Sequence, residues 1–405
     1  MTRYKSFSIF SFISCLFVGL VTSCSSRQAD FCAERIAIQK MSGFPKEESG
    51  FSLGVSACYA GIVNGQLILA GGCNFPSIPA SEGGKKRFYQ GVYAADASVD
   101  SVFTWRKVGE LPVSAAYGAS ITTPEGLICV GGANENGPLT TVYRLILTTD
   151  NQSIRIDTLP SLPFAMDNLG GAMVGNSLYV AGGNVAGKPS NVVLSLDLEN
   201  LESGWQKQAD FPGPARVQPV CAGQQQNEGE PIFYLWGGFA GTYDGRPASL
   251  SVDGYSYSPV TKQWLAVSTP VGKDSVEVSL GGGVGIAFAD SLIVCTGGVN
   301  KDIFLSALQR EERMKQAVAA NDQSTVDSLK AVAKEYMLWP SEDYRFNDRL
   351  LIYNTHLNTW NEVIRCPEFA RAGAALVRWE NTLFVINGEL KPGIRTPEIT
   401  KITIE

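Results

Sequence analysis

Ser177-Leu-Tyr-Val-Ala-Gly-Gly-Asn184 is an apolar run that ends in a glycine pair, and the chain writes that phrase six times. The other copies end at Gly71-Gly72, Gly131-Gly132, Gly237-Gly238 and Gly297-Gly298, with a degenerate sixth at Asn387-Gly388. The first members are spaced 60, 51, 55, 60 and 90 residues apart. Each run is short and rich in β-formers, so each reads as a strand stopped by glycine. A unit of about 50 residues built around such strands is the signature of a β-propeller blade.

Working outward, each unit reads as four strands, with the glycine pair after the second. The period is that of kelch repeats. Tyr257-Ser-Pro-Val-Thr-Lys-Gln-Trp264 and Tyr353-Asn-Thr-His-Leu-Asn-Thr-Trp360 mark the third and fourth strands, with Tyr and Trp on either side of a polar turn. Trp105 and Trp205 hold the equivalent late position, where they wedge between blades. The sixth unit runs from about Gly373 to Glu405 and lacks a fourth strand. A β-like run from Arg35 to Met41 precedes the first complete unit and can supply it, leaving no unpaired edge. The expectation is an all-β, six-bladed kelch-type β-propeller over 32–405, with neighbouring termini.

Composition narrows the function. Lys and Arg number 33 against 39 Asp and Glu, a net charge of -6. An acidic chain without a basic run is a poor nucleic-acid binder. At the N-terminus, Arg3 and Lys5 precede an apolar stretch from Phe7 to Val21, which reads as a signal peptide over 1–23. Val21-Thr-Ser-Cys24 resembles a bacterial lipobox, so Cys24 is the expected lipidation point and 24–31 a tether. This implies a lipoprotein of the cell envelope that faces the periplasm and touches membrane only through its lipid. An ordinary signal peptide with a chance cysteine is the alternative. Cys129 and Cys295 sit two residues before their glycine pairs, in a slot that Leu and Val fill elsewhere, so they read as core. Cys58 and Cys73 could approach each other within one blade, but spacing does not show a disulfide.

One segment departs from the repeat. About 40 extra residues follow Gly298, and 301–345 reads as a helical hairpin, with helices over Phe304–Ala320 and Ser324–Leu338. Ser324-Thr-Val-Asp327 is a possible capping box for the second helix. The hairpin is either a surface or oligomer contact or a wall beside the mouth.

Because strands alternate in direction, the loops after each glycine pair and the loops leading into each blade open on one face. Candidate ligand contacts there are Asn74, Asn134, Asn184 and Asn300 after the glycine pairs, and Arg216 and Arg371 in the inter-blade loops. Asn also suits left-handed turns, and Arg can bind loop carbonyls, so structural duty is the competing reading. The sixth loop, Asn387-Gly-Glu-Leu-Lys-Pro-Gly-Ile-Arg395, is the most distinctive. Glu389 could act as a general base and Arg395 could grip a carboxylate through paired hydrogen bonds. The same two residues could equally be an ion pair that staples the loop.

Several long stretches resemble the bacterial N-acetylneuraminate epimerase (sialic acid mutarotase) family, in a circularly permuted form. They are Thr296-Gly-Gly-Val-Asn-Lys-Asp-Ile-Phe304 with the insertion after it, Glu342-Asp-Tyr-Arg-Phe-Asn347, Ala372-Gly-Ala-Ala375 and the 387–395 loop. The resemblance implies that Glu389 and Arg395 are the catalytic pair and that the substrate is N-acetylneuraminate, whose anomers are interconverted without metal or cofactor. Family members can carry Arg before Ala-Tyr-Gly in one inter-blade loop; here that residue is Ala115, ahead of Ala116-Tyr117-Gly118, while Arg371 stands where a small residue is usual. A non-catalytic kelch module that binds glycan or protein at the envelope is the rival from another class. A copper oxidase is disfavoured because the only histidine is His356. A sialidase is disfavoured because Ser251-Val-Asp253-Gly254 is an isolated likeness to its repeated Asp-box.

Overall fold

The computed structural model describes residues 35–225 and 229–404. The expected signal peptide, Cys24 and the tether lie outside the described residues. Six four-stranded antiparallel sheets carry the chain, together with smaller two- and three-stranded pieces. The first comprises Tyr59–Val63, Gln66–Ala70, Gly91–Asp96 and Arg106–Glu110. The next four follow in chain order and begin at Ala119–Thr123, Gly170–Val174, Val220–Gln225 and Val284–Phe288. The sixth joins Ala375–Trp379, Thr382–Ile386 and Ile399–Ile404 to the early strand Ile36–Met41. Ile36 faces Ile404 and Met41 faces Ile399, so the N-terminal strand completes the C-terminal sheet.

The repeated phrase explains itself in backbone terms. Both members of every glycine pair have positive φ, from 59° to 106°. In the degenerate copy Asn387 takes φ 58° and Gly388 takes 107°. Asn is among the few side chains that tolerate this region, so the sixth copy keeps the same turn. Space adds a second requirement. A Cβ on Gly71 would lie 2.3 Å from the carbonyl oxygen of Ala115, in the loop that leads into the next sheet. Glycine is therefore what lets adjacent sheets approach.

The second strand of each sheet is the most buried. Leu67, Ile68, Leu127, Ile128, Leu178, Val180, Phe233, Leu235, Ile293, Val294, Leu383 and Phe384 are all fully enclosed. Cys129 and Cys295 sit among them, and burial pushes both thiols well above their ordinary range. Cys58 and Cys73 are both free thiols. The Tyr and Trp pairs are cross-strand neighbours: Tyr257 faces Trp264, and Tyr353 faces Trp360. Trp360 also meets Trp236 of the preceding sheet at 5.2 Å between ring centres, which is the wedge expected of it.

A second repeated device organises the entry to each sheet. Ala57, Tyr117, Asn168, Gln218, Gly282 and Gly373 precede the six first strands, and all have φ between 50° and 71°. Their backbones hydrogen-bond head to tail: Tyr117 N–H donates to Ala57 O, Asn168 to Tyr117, Gln218 to Asn168, Gly282 to Gln218, Gly373 to Gly282, and Ala57 to Gly373. The N···O distances run from 2.6 to 3.2 Å. The first strands of all six sheets also line one cavity of about 230 Å³, from Ala60 and Ile121 through Ala172, Ala222 and Ile286 to Val377.

The insertion forms helices α1 (Lys301–Ala319) and α2 (Gln323–Leu338). The expected capping box at Ser324 is corrected: the cap is Asp322, whose carboxylate accepts from Thr325 N at 3.1 Å. Asp327 instead accepts from the Gln323 amide. A carboxylate nearer the turn reaches the free N–H groups first.

Candidate active site

The glycine-pair loops and the inter-sheet loops meet on one face, stitched by short antiparallel bridges such as Ser56 with Cys73, Ala116 with Ala133, Val217 with Phe239 and Ala372 with Glu389. Glu389 itself begins a small hairpin, Glu389–Lys391 with Ile394–Arg395. Gly393 closes its turn at φ 82°, and its N–H donates to Glu389 Oε1 at 2.8 Å. The register sets Glu389 directly opposite Arg395.

The pair is asymmetric in exposure. Glu389 Oε2 lies 3.3 Å from Arg395 Nη2, with the carboxylate side chain 26% exposed and the guanidinium side chain 4%. Arg395 Nε donates to Ser56 Oγ at 3.1 Å, and its guanidinium stacks over Phe75 at 5.1 Å. Arg395 Nη1 is buried and finds no hydrogen-bond acceptor among the described residues. Burial, the largest influence, works against the charge, but the Glu389 carboxylate together with Tyr117 and Cys73 outweighs it and lifts the Arg395 pKa above its usual value. The guanidinium is thus a permanent cation with a donor to spare.

The ring of left-handed residues shapes the floor beneath this pair. Glu389 bridges to Ala372, beside Gly373, and Arg395 bonds Ser56, beside Ala57. Gly282, Gly373 and Ala57 are consecutive on the hydrogen-bonded cycle and carry the smallest side chains. Tyr117, Asn168 and Gln218 occupy the other half, with Gln218 Nε2 donating to Asn168 Oδ1 at 2.6 Å. The carboxylate and guanidinium therefore stand over the roomy half of the ring.

The insertion borders the site. A cavity of about 580 Å³ is lined by Phe304, Leu308 and Arg310 of α1, Tyr336 and Met337 of α2, and Glu389. That volume suits a small-molecule site. Lys391 Nζ donates to Trp339 O at 2.6 Å and ties the helical hairpin to the Glu389 loop. Tyr336 packs edge-on to Tyr344 at 4.9 Å, and the Arg310 guanidinium covers its ring at 4.5 Å. Of the two readings left open for the insertion, a wall beside the mouth fits this geometry.

The remaining sequence candidates serve the loops themselves. Arg216 is fully buried and donates to Pro214 O, Gly237 O and both Asp253 oxygens. Arg371 is 1% exposed and donates to three carbonyls and Thr400 Oγ1. Desolvation pulls the Arg371 pKa down to about 10. Asn74 is buried, donates to Gly50 O and Gly54 O, and accepts from Tyr89. Asn300 caps α1 by accepting from Asp302 N and Ile303 N. Arg216, Arg371, Asn74 and Asn300, expected as ligand contacts, thus carry structural hydrogen bonds within the loops and the α1 cap. Asn134 closes an Asx turn on Asn136, and Asn184 donates to Asp167; both are half-buried and lie in other loops than Glu389. The residue pattern did not single out Ser56 and Phe75, which touch Arg395, or Lys86, whose ammonium lies 6.0 Å from the Phe75 ring centre. Their shared signal was position: each lies next to a glycine-pair or inter-sheet loop.

The N-acetylneuraminate epimerase family profile matches residues 15–156 and 159–405 of this chain. An N-acetylneuraminate epimerase from Salmonella paratyphi B is 34% identical over 244 residues, covering 60% of this chain and 57% of that protein. One from Haemophilus influenzae (strain PittEE) is 32% identical over 259 residues, covering 64% and 63%. A solved structure titled "Structure of YjhT" aligns with TM-score 0.50 at 26% identity, covering 60% of this chain and 64% of that one. The matched stretch therefore spans less than two thirds of the length of these relatives.

Proposed function

The chain belongs to the N-acetylneuraminate epimerase family, and from that premise we propose that it interconverts the α and β anomers of N-acetylneuraminate at the Glu389–Arg395 pair. The observation that carries the reading is the buried Nη1 of Arg395, without an acceptor among the described residues, beside a reachable Glu389 carboxylate. A buried donor without an acceptor is costly, and an incoming carboxylate would satisfy it.

The chemistry follows from the substrate. Its anomeric carbon bears a carboxylate and no hydrogen, so exchange must proceed by opening the ring rather than by removing a proton from carbon. Glu389 takes the proton of the anomeric hydroxyl while an acid protonates the ring oxygen, the ring C–O bond breaks with its electron pair going to that oxygen, and closure on the other face returns both protons. Arg395 holds the sugar carboxylate and orients the ring. Acid–base help of this kind is worth roughly 10²–10⁴-fold. The acidic net charge is no obstacle, because the local cation sets the field at the mouth.

The architecture that presents the pair is, in this reading, a closed six-bladed ring. Its support is the unbroken head-to-tail cycle through Ala57, Tyr117, Asn168, Gln218, Gly282 and Gly373 and the cavity lined by six first strands. In the same reading the protein is an envelope lipoprotein held by Cys24 and facing the periplasm, on the strength of the Val21–Cys24 lipobox.

The test is NMR of freshly released α-anomer with catalytic protein. Glu389→Gln, which keeps an acceptor for Gly393 N–H, is expected to slow exchange at least 10²-fold in protein that stays folded, with Tm lowered by only about 3 °C through the lost Arg395 ion pair. Exchange at the normal rate in this variant overturns the assignment.

A further inference from the structure

Tyr117 is the one aromatic residue on the left-handed ring, where the other positions are Ala, Asn, Gln and two Gly. A bulky residue at φ 63° is strained, and such strain is held in place by its surroundings. Here the surroundings are two backbone hydrogen bonds, to Ala57 and from Asn168. They fix the point from which the side chain leaves the ring.

The phenol lies beside the catalytic loop: the Lys86 ammonium sits over both the Tyr117 and the Phe75 rings, the latter at 6.0 Å, and Arg395 stacks on that same Phe75. Lys86 Nζ donates to the Tyr117 hydroxyl oxygen at 2.8 Å and also covers its ring at 4.6 Å. With the oxygen already accepting from an ammonium, the phenolic hydrogen is the group that donates, and in the resting site it faces the Cys73 sulfur. The titratable or charged neighbours facing the hydroxyl are Lys86, Cys73, Arg395 and Glu389. Burial raises the phenol well above its usual pKa; Cys73 and Glu389 add to the rise, and Arg395 opposes it. The group therefore holds its proton at neutral pH.

We propose that Tyr117 is the proton donor to the ring oxygen of the sugar, with Lys86 holding the phenolate that results. This rests on the reading of Glu389 as base. In the opening step Glu389 accepts the anomeric hydroxyl proton, the C–O bond to the ring oxygen breaks with its electron pair going to that oxygen, and the Tyr117 hydrogen transfers to it. The anomeric carbon becomes a ketone. Closure runs the same transfers in reverse on the other face, so protons balance and no co-reactant is needed. The ammonium of Lys86 and the guanidinium of Arg395 offset the phenolate charge while the chain is open.

The experiment measures anomer exchange for Tyr117→Phe, Lys86→Met and Glu389→Gln, and for protein carrying mono- and difluorotyrosine at position 117. Tyr117→Phe is expected to lose at least 10²-fold in kcat with KM within about threefold. Lys86→Met should lose about tenfold. The fluorotyrosines should raise kcat as the phenol becomes more acidic, which a purely structural residue would not do. A wild-type kcat in Tyr117→Phe overturns the proposal, as does a loss confined to KM with no response to fluorination. If Glu389→Gln is slow while Tyr117→Phe is normal, only the Tyr117 assignment fails. If Glu389→Gln is normal as well, the reading of the site fails with it.

Discussion

Asp253→Asn separates fold from site. Arg216 was a candidate substrate contact, yet its guanidinium is fully buried and its Nη1 lies 2.6 Å from Asp253 Oδ1. Neutralising Asp253 leaves that cation without its counter-charge. Losing one partner of a buried pair costs about 3–5 kcal/mol. The Asp253 side chain is 36% exposed, so water screens part of the interaction and about 2–3 kcal/mol is the better figure. Residues Cys32–Glu405 form one compact unit, and for about 370 residues unfolding together the entropy is about 0.8 kcal/mol per kelvin. The expected drop in Tm is therefore about 3 °C at pH 7. The pH dependence has a definite sign. Burial would raise the Asp253 carboxyl, but the Arg216 hydrogen bonds and charge more than cancel this and hold it below its ordinary value. A depressed carboxylate stabilises fully above its unfolded pKa of about 4 and loses that contribution as pH falls through the folded value. The gap in Tm between wild type and Asp253→Asn should be constant from pH 7 to 5 and close below about pH 4. Calorimetry across pH, with anomer exchange measured on the same samples, reads both effects. An unchanged Tm together with a raised KM would return Arg216 to the substrate and refute the argument.

Two further outcomes test the packing. Asn387→Gly should hold its stability in urea within about 1 kcal/mol, because glycine occupies that φ in every other copy, the side-chain carbonyl has no partner among the described residues and the amide only reaches the Cys58 sulfur at 3.7 Å; Asn387→Val should lose more than about 2 kcal/mol. Burial pushes the Cys58 thiol up to about 12 and those of Cys129, Cys221 and Cys295 further, whereas half-buried Cys366 rises only to about 11, so iodoacetamide at pH 8 should leave the first four unmodified by mass spectrometry while Cys366 reacts ahead of them; rapid labelling of the four in folded protein would contradict the burial.

The repeat was legible because its signals are local. A glycine pair after an apolar strand reports a backbone conformation that few other residues can take, so Gly71-Gly72 and its copies could be read without knowing any neighbour. The Glu389–Arg395 loop was legible for a similar reason: a hairpin around Pro392-Gly393 brings residues six apart face to face. The left-handed ring escaped notice because its six members share a conformation and no residue type. Arg216 and Arg371 were misleading because a basic residue in a loop looks the same whether it faces a ligand or a carbonyl.

By itself the sequence determined where strands begin and stop, how many times the unit recurs, and which loop holds a carboxylate and a guanidinium together. These depend on contacts within a few residues. Tertiary structure decided which polar side chains are consumed by the protein and which are left over. Asp253 reaches Arg216 across 37 residues and Ser56 reaches Arg395 across 339, so whether a donor stays free is set by chain segments that no local pattern connects.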